Sequence, residues 1–131
     1  MKILVVDAQG GGIGKQLVLA IKEHIPGAEI MAVGTNSAAT AVMLKAGATH
    51  AATGENAVVV AAKKADIIVG PVGIVIADSL YGEVTPKMAT AIAQSNAKRI
   101  LIPFNQCDNI IVGVNCTISQ QINNVIDKIM K

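Results

Sequence analysis

The strongest constraint on this chain is a recurrence of short, wholly apolar runs, each stopped by small or turn-forming residues. Ile3 to Val6 and Ile30 to Val33 are of this kind, and Asp66 to Val69 and Arg99 to Pro103 are apolar after one charged residue at the start. A run without polar alternation reads as a strand buried on both faces, because a half-solvated strand would alternate. Between the runs, apolar residues recur at helical spacing. Leu17, Val18 and Ile21 lead to His24 and the stop Pro26-Gly27. Asn36 or Ser37 caps a helix over 38–46 that ends at Gly47, and Thr53 or Asn56 caps AVVVAAKKA, whose lysines suit a helix C-terminus. Thr85-Pro86 opens a further helix, an N-cap followed by proline at the first position. Ile118, Ile122, Val125, Ile126 and Ile129 form a closing amphipathic helix capped by Thr117 or Ser119. THAAT, 49–53, reads as a brief strand and Ile110 to Val114 as a sixth apolar run. Residues 74–80 fit a strand or a short helix equally well.

Strands that alternate with helices predict an α/β architecture: a three-layer, Rossmann-like open sheet, mostly parallel, with helices on both faces. The expected strand order is near 3-2-1-4-5, with the sixth run extending the sheet or pairing antiparallel at its edge. The 131 residues suit one domain spanning 1–131. In such sheets ligands lie beyond the C-terminal strand ends, at the point where strand order reverses. The C-terminal ends here read DAQGGGIG, GTNS, TGEN, GPVG and PFNQCD. The opposite ends read HIPGAE, KAGATH, KKAD and SNAKR, which are plain charged turns. The asymmetry predicts a ligand crevice built from the first set.

The glycine loop after the first strand is the sharpest candidate. Glycine lets backbone amides approach a phosphate without a Cβ in the way, and a helix N-terminus favours an anion. Gly10, Gly11, Gly12, Ile13 and Gly14 miss the strict GxGxxG spacing by one residue, because Lys15 stands where the third glycine belongs. Gly12-Ile13-Gly14 resembles the end of the short-chain dehydrogenase pattern TGxxxGIG, with Asp7 and Ala8 in place of its threonine and glycine. The catalytic YxxxK of those enzymes is missing, since Thr85 follows Tyr81 at the lysine's spacing, so hydride-transfer chemistry is not carried over. The second strand ends in Gly34, Thr35 and Asn36, without the acid that binds a ribose 2′-hydroxyl. QGGGIGKQ also resembles a phosphate loop in which Lys15 would reach terminal phosphates, but Gln16 replaces the hydroxyl that holds magnesium. A third reading makes the glycines a tight turn and a close-packing device.

Composition narrows the function classes. Hydrophobic residues reach 52% and charged residues 15%, against the usual quarter or so, which predicts a homo-oligomer that hides an apolar face. The formal charge of +2 is scattered, and Tyr81 and Phe104 are the only aromatic residues, so a nucleic-acid surface is not expected. No apolar run approaches the roughly 18 residues of a membrane span, and a cytoplasmic location without membrane association is expected. Asp7 could order the loop amides, and Glu55, Asp78 and Glu83 could join it if the loops converge. His24 reads as a C-terminal dipole partner of its helix, His50 lies near a strand start, and neither has metal-site spacing. Cys107 and Cys116 read as core or unpaired thiols.

The ordered set of GTN, ATGEN, VGPVGI and ILIP with the glycine loop resembles a family of short, uncharacterised bacterial proteins of Rossmann-like fold. That resemblance implies the fold and no activity. The expected ligand is a small phosphate-containing molecule, NAD(P) or another nucleotide, held by Asp7, Gln9, Gly10 to Lys15, Gly34, Thr35, Asn36, Glu55, Gly70 and Asn105. The alternatives are an enzyme acting on a phosphorylated substrate and a structural oligomer whose loop binds nothing.

Overall fold

A computed structural model describes residues 1–103 and 109–131. Five strands form one parallel sheet in the order β3-β2-β1-β4-β5: β1 Lys2–Asp7, β2 Glu29–Gly34, β3 His50–Thr53, β4 Ile67–Pro71 and β5 Lys98–Ile102. The helices are α1 Gly12–His24, α2 Ser37–Ala46, α3 Glu55–Lys64, α4 Pro86–Ala93 and α5 Ile118–Met130. The order agrees with the expected 3-2-1-4-5. Order reverses between β1 and β4, where the connections leave in opposite directions.

The alternation of side chains along β1 divides the core in two. Ile3 and Val5 pack with Leu17, Val18 and Ile21 of α1, Met43 of α2, and Ile122, Val125, Ile126 and Ile129 of α5. Leu4 and Val6 point the other way, to Val58, Ala61 and Ala62 of α3 and Met88, Ala89 and Ile92 of α4. Each fully buried Val, Leu or Ile contributes about 1.5–3 kcal/mol of transfer free energy, so two occupied faces hold β1 at the centre. No helix among the described residues is long and apolar enough to cross a membrane.

Local signals placed most helix ends. Asn36, Thr85 and Thr117 cap α2, α4 and α5 through their side chains, and Thr117 with Gln120 completes a capping box. Gly47 ends α2 in the left-handed region. The cap of α3 differs from expectation: Gly54, φ 102°, takes the position, and neither Thr53 nor Asn56 does. Residues 72–75 form a short 3-10 helix followed by turns, which settles the ambiguous stretch. The sixth apolar run forms no strand. Ile110 and Val112 are 82% and 92% exposed, and Asn109, just before the run, makes an isolated bridge.

Gly70, expected to touch a ligand, has a packing role. A Cβ there would strike the backbone carbonyl oxygen of Val6 on the neighbouring strand and meet Ile74 Cδ1 at 3.0 Å. Gly70→Ala is therefore expected to cost about 1–3 kcal/mol, read as a lowered urea midpoint. An unchanged midpoint would show that β1 and β4 are not held this closely.

Candidate functional site

The end of β1 is organised by a buried carboxylate. Asp7 Oδ1 accepts the amide of Ala8 at 2.8 Å and Oδ2 accepts that of Gly14 at 2.6 Å. Gly14 is the third residue of α1, so Asp7 acts from the strand end as an N-cap side chain would. Gly11, the N-cap itself, has φ 72° and no side chain to offer. Burial pushes the Asp7 carboxyl up, the Gly14 and Ala8 amides pull it back, and the Glu83 charge adds to the rise; the net direction is upward.

The glycine loop begins with a turn in which Ala8 C=O accepts the Gly11 N–H at 3.0 Å. Gln9, its first central residue, has φ 51°. Its amide donates to Glu83 Oε1 at 2.9 Å. The same oxygen accepts the Thr35 hydroxyl and the Asn36 Nδ2, both at 2.7 Å. Asn36 is used on both sides of its amide: Oδ1 accepts the Ala39 N–H that caps α2, and Nδ2 also donates to Gln9 C=O at 3.0 Å. Burial pushes Glu83 up, but the Gln9 amide, the Thr35 hydroxyl and the Asn36 amide together hold it below the ordinary glutamate value of 4.5.

A cleft of about 260 Å³ opens beside this assembly, on the β4 side of the reversal point. Asp7, the loop from Ala8 to Ile13, Gln16, Pro71, Leu80 and Ile118 line it. The Gly10 and Gly12 amides have no acceptor among the described residues, and the space where their Cβ atoms would stand is open. Two backbone donors and the positive end of the α1 dipole lie beside apolar walls there, which is chemistry that favours an anion. A larger groove, about 630 Å³, runs between α3 and the open face of β2 and β3. It starts at Lys2, Glu29 and His50, where the strands begin, and the glycine loop does not line it.

The structure gathers Asp7, Gln9, Gly10, Gly11, Gly12 and Ile13 at the cleft and ties Thr35 and Asn36 to it through Glu83. It sends the other candidates elsewhere. Lys15 is exposed on the first turn of α1, outside the cleft wall, while Gln16 lines it. One residue is a rotation of about 100° around a helix, and this turns Lys15 away. Gly14 packs against Met43 and Asp7, and Gly34 against Thr40, with no room for a side chain. Glu55 accepts the Thr85 hydroxyl at 2.6 Å and joins the starts of α3 and α4. Asn105 and Cys107 lie outside the described residues. The sequence marked Glu83 only as one of several carboxylates and did not place Gln16, Pro71, Leu80 or Ile118 at the site. The only local hint of Glu83 was its place in ADSLYGEV, a glycine-bearing segment just before the Thr85 cap.

Two outcomes check this geometry. Asp7→Asn keeps one acceptor and turns an NH2 toward the other amide, so stability falls by about 1–3 kcal/mol; an unchanged denaturation midpoint would refute the anchor. Glu83 has a lowered folded value, so its contribution is present above its ordinary 4.5 and lost as pH falls through the folded value. Asp7, raised, has the opposite sign: its contribution is full below its ordinary 3.8 and fades as pH rises through the folded value. The stability difference between the native chain and Glu83→Gln should therefore shrink as pH falls below 4.5, and a difference that does not change with pH would contradict the Glu83 contacts.

Among solved structures, the chain is similar to one described as a dodecameric FMN-dependent Ubix-like decarboxylase from Escherichia coli O157:H7. The TM-score is 0.56 and the identity 16%, over 99% of this chain and 93% of that one. At that identity the likeness supports the fold. No curated protein matches the chain in sequence. The local likeness to short-chain dehydrogenases stays confined to Gly12-Ile13-Gly14, as neither the structural match nor the family match is to them. The model of the family described as a domain of unknown function, DUF3842, matches residues 2–131, and the chain belongs to that family.

Proposed function

We propose that the protein binds a phosphate-bearing mononucleotide at the loop of β1 and works as a homo-oligomer. The observation that carries this reading is the cleft at the reversal point, where the Gly10 and Gly12 amides, which have no acceptor among the described residues, adjoin apolar Pro71, Leu80 and Ile118. A cleft of about 260 Å³ suits the phosphate and sugar end of one nucleotide. The β2 end, where a dinucleotide would place its second half, has its Thr35 hydroxyl and Asn36 amide already committed to Glu83. This favours a mononucleotide over NAD(P). A triphosphate is disfavoured by the outward Lys15 and by Gln16, which has no hydroxyl for magnesium. The similar decarboxylase is described as FMN-dependent and dodecameric, which makes flavin mononucleotide the first probe and supports the oligomer. Exposed Leu44, Val60, Ile110, Val112 and Met130, with the low charge fraction, point the same way.

A second reading has its own observation. Asp7 already fills part of the anion position at the start of α1, and Gly11 and Gly14 are packed against Ala39 and Met43. In that reading the loop is a close-packing device that binds nothing.

Thermal denaturation separates the two. Flavin mononucleotide or AMP at 100 times its Kd should add about 2.7 kcal/mol of stability, more than NAD at the same concentration. Gly12→Asp places a carboxylate in open space at the favourable end of α1; it should fold and abolish the shift. No shift with any of these ligands at millimolar concentration would leave the packing reading standing. Gly14→Val cannot serve as the variant, because it would collide with Met43 and Asp7.

A further inference from the structure

The geometry points to Glu83 as the positioning residue of the glycine loop: it holds Gln9 in the left-handed region, and so sets the turn that presents the Gly10 and Gly12 amides. This rests on the reading that those amides are the binding groups. A turn with positive φ at its first central residue favours glycine there, and this chain has glutamine, with glycine one place later. A non-glycine residue in that region needs a compensating contact. The Gln9 amide supplies one by donating to Glu83 Oε1 at 2.9 Å, and the Gln9 carbonyl supplies a second by accepting Asn36 Nδ2 at 3.0 Å. Asn36 is itself oriented by the same Glu83 oxygen. Both clamps on the Gln9 peptide groups therefore converge on one carboxylate.

The segment carrying Glu83 is built to deliver it. Asp78, Leu80 and Tyr81 have φ of 63°, 57° and 59°, and Gly82 has 83°. Asp78 N–H donates to Val84 C=O at 2.7 Å, Val84 N–H to Ser79 C=O at 3.3 Å, and the Ser79 hydroxyl to Gly73 C=O at 2.5 Å. Leu80 and Val84 are buried on the α3 and α4 side of the sheet. Glu83 thus stands on a tightly bonded base. None of these base contacts involves Gln9.

The test is hydrogen exchange at the Gly11 amide, whose bond to Ala8 C=O closes the turn, in four full-length variants. Glu83→Ala should speed Gly11 exchange about tenfold, the loss expected for charge-assisted bonds, while Leu4 and Val5 exchange as before. Glu83→Gln, which keeps an acceptor oxygen, should stay near the native rate. Gln9→Gly in the Glu83→Ala background should restore Gly11 protection, because glycine takes that φ without a clamp; a residue that merely glued two segments together would show no such rescue. Thr35→Val, which removes one of three donors, should move Gly11 in the same direction by a smaller factor and serves if Glu83→Ala does not fold. Unchanged Gly11 exchange in Glu83→Ala, or no recovery in the double variant, overturns the inference. With flavin mononucleotide as probe, affinity should fall in Glu83→Ala and return in the double variant. If Gly11 responds as expected but the native chain binds no flavin mononucleotide, the positioning role stands and the binding reading falls.

Discussion

β1 is covered by helices on both faces and paired with strands on both sides, and this fixes the point at which it ends. Its neighbours leave that end in opposite directions, β2 toward α2 and β4 toward the short 3-10 helix, so a crevice opens there as a consequence of topology. The side chains that pin β1, from Ile3 to Val6, are all buried, and Asp7 is the first residue that must find polar partners. It finds them in the backbone of the loop that follows. The geometry of the candidate site is thus a continuation of the core.

Two carboxylates of the chain itself occupy much of the polar end of the crevice. Asp7 engages an amide at the start of α1, and Glu83 gathers a backbone amide, a hydroxyl and a side-chain amide from the ends of β1 and β2. They leave the Gly10 and Gly12 amides on the β4 side, next to apolar walls. The site is therefore one-sided: closed toward β2 by protein groups, open toward β4. That asymmetry is the basis of the proposal of a ligand with one phosphate and an attached ring or sugar.

The sheet was legible because its signals are local. Runs such as Ile3 to Val6 state their burial without reference to the rest of the chain, and Asn36, Thr85 and Thr117 cap helices with bonds spanning three residues. The misreadings share a cause in the opposite direction. Ile110 to Val114 has strand composition, but strand pairing is set by distant residues, and here Ile110 and Val112 stay exposed. Gly54 caps α3 through backbone conformation, which no side-chain pattern announces. Lys15 adjoins the glycines in sequence, yet it lies outside the cleft, while Gln16, one helical step on, lines it. Glu83 lies 74 residues from Gln9 and 48 from Thr35, so its contacts were invisible to any local pattern.

The most direct measurement is an amide NMR titration of the native chain with flavin mononucleotide. The account predicts that the Gly10 and Gly12 resonances move farthest, with smaller changes at Ala8, Gln16 and Leu80. Unmoved Gly10 and Gly12 resonances at saturating ligand, or changes confined to His50, Val60 and Lys64 along the other groove, would contradict it.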